Sequence, residues 1–144
     1  MKRLFIAALA AVVLTSGAAR AQSNDSGPIA TPAGALQFVR VDHDVVATLG
    51  TTTLDRFAAS TLTHFDELGT TSDDVPRMLV LTDAGPVLYD FRRRPPLVQR
   101  LDRRMTIRRV FWQDDEVVMQ GTQGWFRFKG GVLTKLQSST TTFH

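Results

Sequence analysis

Cysteine is absent from all 144 residues. That absence excludes disulfide staples, thiolate nucleophiles, cysteine-based zinc or iron–sulfur sites and a lipid attached to a cleavage-site cysteine. Histidine is scarce, at three residues, and no charge-free apolar run reaches the length of about 20 residues that spans a bilayer. There is no HExxH helix, no EF-hand loop, no GxSxG elbow and no phosphate-cradling glycine loop. Beyond residue 21 lysine is nearly missing, with two lysines beside twelve arginines, which fits codon bias in a GC-rich genome.

What is present begins with an address. Met1-Lys2-Arg3 forms a positive start, residues 4–14 (LFIAALAAVVL) are apolar, and Ala19-Arg20-Ala21 satisfies the small-x-small rule. Residues 1–21 are therefore expected to be a cleaved secretory signal peptide, giving a periplasmic or secreted protein that starts at Gln22 and does not span the membrane. The rest holds 14 basic and 14 acidic residues, so the basic character of the whole chain belongs largely to the discarded segment. Global charge then gives no support for a nucleic-acid partner.

At 43% apolar residues the chain can build a core, and its length suits a single domain. Residues 22–35 (QSNDSGPIATPAGA) read as a flexible lead, 36–138 as one globular β-rich domain and 139–144 as a frayed tail. Alternating or short apolar runs at 36–41, 45–49, 77–82, 86–91, 97–101, 105–112, 116–120, 125–129 and 132–137 are punctuated by turn residues. Leu54, Phe57, Ala58, Leu62, Phe65 and Leu68 fall at helical spacing, with Gly69 as a stop. The expected fold is α+β, a predominantly antiparallel β meander of six to eight strands with one helix near 53–68. The alternative is an all-β sandwich or small barrel, in which Leu62 and Phe65 would lie on opposite faces.

Within residues 116–136, the run GTQGWFRF has a Gly-Thr-x-Gly-aromatic-x-aromatic core. The segment resembles a blade segment of the two-component-regulator type of β-propeller repeat. A whole propeller takes about four or more blades, and no second copy of the motif is evident. The segment is therefore read as a glycine-punctuated meander.

Charge is segregated. Residues 22–90 hold ten acids and three bases, whereas 91–144 hold eleven bases and four acids. Eight arginines fall within 92–109. Guanidinium groups grip carboxylate and phosphate through paired donors, so the cluster can dock an anionic surface unless the acidic half folds back on it. Strict alternation places Phe126 and Phe128 on one face and Trp125 and Arg127 on the other. It likewise separates Ile107 and Phe111 from Arg108 and Trp112. The expected partner-binding set is Arg92, Arg93, Arg94, Arg103, Arg104, Arg108, Trp112, Trp125 and Arg127.

Catalytic signals are thin. His43 lies between Asp42 and Asp44 in a turn, Ser60, His64 and Asp66 hold only the residue types of a triad, and His144 is terminal. No catalytic residue, metal ligand or cofactor is assigned. The reading is an exported, non-enzymatic binding or accessory protein of the bacterial envelope, whose partner is an envelope protein or an anionic envelope component. The open edges of a meander leave room for a homo-oligomer. The alternatives are an inhibitor or immunity protein for an envelope-acting enzyme, presenting the 92–96 loop, and a small envelope hydrolase.

Overall fold

A computed structural model describes residues 22–69 and 73–136; the expected signal peptide and the 139–144 tail lie outside these. Twelve strands run in chain order: β1 (Ile29–Thr31), β2 (Gly34–Val41), β3 (Asp44–Leu49), β4 (Thr52–Ala58), β5 (Thr63–Asp66), β6 (Arg77–Thr82), β7 (Gly85–Asp90), β8 (Leu97–Arg100), β9 (Ile107–Trp112), β10 (Glu116–Gly121), β11 (Gly124–Lys129) and β12 (Val132–Lys135). They form three four-stranded antiparallel sheets, β1-β2-β3-β4, β5-β6-β7-β8 and β9-β10-β11-β12. Each sheet is a simple meander of sequential neighbours.

This corrects the expected α+β fold. Among the described residues there is no helix, and the strands exceed the expected six to eight; the all-β alternative fits. The reason lies in the pairing of β4. Ala47 faces Asp55 and Thr48 faces Thr53, so Leu54 is the extra residue of a bulge. The bulge shifts the side-chain phase by one and brings Leu54 and Phe57 to the same core. A spacing of three, which suggested a helix, is here a strand with one residue inserted. Leu62 then packs on one core and Phe65 in the other, while Ala58 and Leu68 are exposed.

Two cores flank the middle sheet. The first joins Leu36, Phe38, Val45 and Phe57 of the first sheet to Met78, Val80, Val87 and Tyr89 of the second. The second joins Phe65, Leu79 and Leu88 to Val110, Val117, Met119, Phe126 and Phe128 of the third. Successive residues of β6 and β7 therefore point into different cores. All six positions of β7 are buried, which explains the unbroken apolar runs MLVL and PVLY.

The lead is not free of structure either. Ile29 is buried, and β1 pairs with β2 at Ile29↔Leu36 and Thr31↔Gly34. Its polar residues make turns: Thr31 Oγ1 donates to the Gly34 carbonyl at 2.6 Å and accepts from the Ala33 N–H at 3.1 Å. Farther upstream, Ser23 and His64 exchange two backbone hydrogen bonds at 2.8 and 2.9 Å, and Phe38 N–H donates to the Ser26 carbonyl at 2.8 Å. The segment is a strap from the first sheet to the edge strand of the second.

Polar ties cross both seams. The Tyr89 hydroxyl donates to Asp55 Oδ2 at 2.8 Å, and Arg100 holds Asp55 Oδ1 at 2.8 Å. Burial, with the Asp55 charge beside it, pushes the Tyr89 hydroxyl far above its ordinary pKa, so it remains a donor. Tyr89→Phe keeps the ring and removes one hydrogen bond to a charged acceptor that retains Arg100. We expect a loss of about 1.5 kcal/mol in urea unfolding; an unchanged midpoint would show that the hydroxyl contributes nothing to this seam.

Candidate functional site on the third sheet

The third sheet has one face in the second core and one turned to solvent. Three cross-strand rows lie on the outer face, Phe111–Val118–Arg127–Thr134, Arg109–Gln120–Trp125 and Glu116–Lys129–Val132. Phe111 and Trp125 lie diagonally across β10, with ring centroids 5.7 Å apart and planes at 34°. Trp125 is 39% exposed, and Arg109 and Arg127 are exposed without a hydrogen-bond or ion-pair partner among the described residues. The first two rows hold no acidic side chain, and the third sets Glu116 opposite Lys129.

The nine residues singled out in the sequence are not one surface. Trp125 and Arg127 point outward as expected. Trp112 does not: it faces the core beneath the Arg77 guanidinium, 5.2 Å from the ring centroid, and its buried Nε1 has no partner. The cause is again a bulge. Arg109 faces Gln120 and Ile107 faces Gly121, which leaves Arg108 unopposed. The phase of β9 shifts at Arg108, so Ile107 and Val110 both point inward, Phe111 points out and Trp112 points in. Phe111 and Arg109 are therefore members of the face that strict alternation missed. The signal that could have located them is Gly121, which gives Ile107 no opposing side chain.

The arginines divide. Arg92 chelates Asp90 with Nε and Nη2, both at 2.9 Å, and reaches the Asp114 carbonyl at 3.1 Å. Burial would raise the Asp90 carboxyl, but the Arg92 hydrogen bonds and the Arg92 and Arg77 charges hold it below the usual range. The bond to Asp90 raises Arg92 in turn. Arg93 lies 3.7 Å from the same carboxylate. Arg103 covers the Phe126 ring at 5.0 Å. Its backbone passes so close to Gly85 that a Cβ there would meet the Arg103 carbonyl oxygen at 2.6 Å, and Gly85 also needs its φ of +127°. Arg94, Arg104 and Arg108 are exposed and without ion-pair partners among the described residues. Internal neutralisation thus takes Arg92, Arg93 and Arg100, while the outer face keeps its charge.

The catalytic candidates stay apart. His43 is exposed in the β2–β3 turn. His64 is fully buried and has both ring nitrogens engaged, Nδ1 with Asp66 Oδ1 at 2.5 Å and Nε2 with the Asp25 carbonyl at 2.8 Å. It has no nitrogen left for Ser60, so these residues form no triad. Among the described residues no group of three or more His, Asp or Glu side chains could hold a metal ion, and no helix is long and apolar enough to cross a membrane. A cavity of about 320 Å³ opens beside the strap over Phe38 and Val45. Its charged group, Arg40, is turned onto the Ser60 carbonyl at 3.3 Å. Compared with known proteins, the chain matches no family model, no curated protein and no solved structure.

Proposed function

We propose that this is an exported, non-enzymatic binding protein of the bacterial envelope that docks an anionic or acidic protein partner on the outer face of its third sheet. The observation that carries the reading is the stacked pair of exposed Trp125 and half-buried Phe111, flanked by the unpartnered Arg109 and Arg127. Aromatic and arginine side chains are the groups that concentrate binding energy at interfaces. A guanidinium without an internal acid is free to meet a carboxylate or phosphate from outside. The signal-type N-terminus supports export. The inhibitor reading has less support, because Arg92 in its nominated loop is turned back on Asp90.

The test is affinity capture from envelope extract with tagged protein starting at Gln22, compared with Arg109→Glu/Arg127→Glu and with Trp125→Ala. The face variants should reduce the captured partner at least about tenfold, the scale of one lost interface anchor. Circular dichroism should be unchanged, since all three side chains are exposed. Capture undiminished in both variants would remove this face from the function.

A further inference from the structure

The cavity of about 320 Å³ beside the strap is built from three pieces of chain. Phe38 and Arg40 follow Leu36 along one face of β2, the face turned to the first core, and Val45 lies opposite Arg40 on β3. The β4–β5 link supplies Ser60, Thr61 and Leu62, and the strap supplies Asn24 and Ser26. The floor is apolar and fixed: Phe38 and Val45 are buried, and His64 stacks on the Phe38 ring with centroids 5.4 Å apart. The strap wall is fixed as well. Ser23 is bonded twice to the His64 backbone, and the Ser26 carbonyl accepts from Phe38 N–H at 2.8 Å. Gly27 then passes β2 so closely that a Cβ on it would meet the Leu36 carbonyl oxygen at 2.5 Å, and its φ is +102°. The strap therefore cannot fall onto the floor.

The polar groups around this cavity are unspent. Arg40 makes no ion pair among the described residues, and its single bond, to the Ser60 carbonyl, is long at 3.3 Å and leaves most of its donors free. The side chains of Asn24, Ser26, Ser60 and Thr61 have no hydrogen-bond partner among the described residues. No acid lines the cavity. Of the acids on the surrounding elements, Asp44 is held by Arg56, Asp55 by Tyr89 and Arg100, and Asp66 by His64. Asp25 Oδ1 accepts from the Gly27 N–H at 3.0 Å, and Asp42, in the β2–β3 turn, forms no pair with Arg40. Sites for small organic ligands have this make-up: about 300–1,000 Å³, an apolar lining and a few convergent polar groups. A planar guanidinium beside an apolar floor matches a carboxylate on a hydrocarbon body, with two oxygens for its paired donors and carbon for Phe38, Val45 and Leu62. We propose that this cavity binds a small monocarboxylate with an apolar body, of the short fatty acid type, and that Arg40 receives the carboxylate. A lone guanidinium sets the ligand's charge, and the volume sets its size. The site is separate from the third sheet's outer face, and either can fail without the other.

NMR titration of the protein from Gln22 tests this. Sodium hexanoate should bind saturably with a Kd of about 1 mM or tighter, and should shift the amides of Ser26, Phe38, Val45 and Leu62. 1-Hexanol has the chain without the charge, and inorganic phosphate has the charge without the chain. Each should bind at least about tenfold more weakly. Arg40→Gln should weaken hexanoate about tenfold and leave hexanol nearly unchanged. Thr61→Glu should abolish hexanoate binding by setting a like charge in the cavity. Both substitutions change exposed side chains, so circular dichroism should be unchanged; should one variant fail to fold, the other still decides. No saturation by about 20 mM hexanoate overturns the proposal. So do equal affinities for hexanoate and hexanol, binding that Arg40→Gln leaves intact, or shifts confined to the third sheet.

Discussion

Arg77→Met should lower the unfolding free energy by about 3–5 kcal/mol, the cost of breaking a buried pair from one side. Arg77 is 2% exposed and holds both oxygens of Glu67, at 2.7 and 2.9 Å. It also donates to the carbonyls of Gln113 at 2.5 Å and Glu116 at 3.4 Å, and lies over Trp112. One side chain at the start of β6 therefore anchors the β9–β10 turn and ties the third sheet to the second. Methionine fills much of the volume but leaves the Glu67 carboxylate and the Gln113 carbonyl without the Arg77 donor, while the Glu116 carbonyl keeps the Gln113 N–H at 3.1 Å. Glu67→Met on the same background should recover most of the loss, because replacing a buried ion pair with apolar groups of similar size is often neutral. Urea unfolding of the two variants measures both numbers. A loss below about 1 kcal/mol in the single variant would mean that water already serves these acceptors. Trp112 fluorescence should shift in both variants, since the cation over its ring is gone.

The middle of the molecule was legible in the sequence because its side chains follow the period of a strand buried on both faces. β6 has the bounds expected for it, and β7 differs by one residue at each end. The two misreadings have one physical origin. Periodicity arguments assume uninterrupted pairing, and single extra residues at Leu54 and Arg108 break it. At Leu54 the inserted residue counterfeits helical spacing. At Arg108 it exchanges Phe111 and Trp112 between faces. A bulge is set by what the neighbouring strand offers across the ladder, and a single strand's sequence does not contain that information. The lead misled for another reason: its Gly, Pro, Ser and Asp residues build specific turns, and composition alone cannot separate a tight turn from a mobile one.

The candidate site was half legible. Trp125 and Arg127 follow plain alternation on a regular strand and were readable. The Arg92–Asp90 chelate spans two residues and was within reach of local reasoning. By contrast, Arg100 finds Asp55 at a separation of 45 residues, and that pairing exists only because the first and second sheets stack. Segregation of acids and bases along the chain therefore served two ends. Part of it neutralises across the seams, and Arg109 and Arg127 on the third sheet's outer face stay exposed without an ion-pair partner among the described residues.

His64 should make the fold sensitive to alkaline pH. It is fully buried, stacks on Phe38 with centroids 5.4 Å apart, and faces only acceptors: the Asp66 carboxylate and the Asp25 carbonyl. A neutral imidazole has one N–H and would leave one of these contacts as oxygen against lone pair. The cation satisfies both. Burial alone would lower the pKa, but the hydrogen bond and charge of Asp66, with the Asp25 carbonyl and charge, outweigh it and hold His64 above its ordinary value of 6.5. A folded pKa above the unfolded one means the contribution is complete below about pH 6.5 and is lost as pH rises through the folded value. Urea unfolding from about pH 5.5 to about pH 9 should show wild-type stability falling across the upper part of that range. His64→Gln should remove this slope, and His64→Ala should cost about 3 kcal/mol at the acid end, through the vacated volume and two lost hydrogen bonds. Because the bond to Asp25 belongs to the strap, hydrogen exchange at Ser23 and at Phe38, whose N–H donates to the Ser26 carbonyl, should accelerate over the same pH window, beyond the ordinary rise in exchange with pH. Should either variant fail to fold, titration of the wild-type imidazole by NMR decides the matter: a pKa at or below 6.5 would show that burial wins over Asp66 and that the strap is held by the backbone bonds alone.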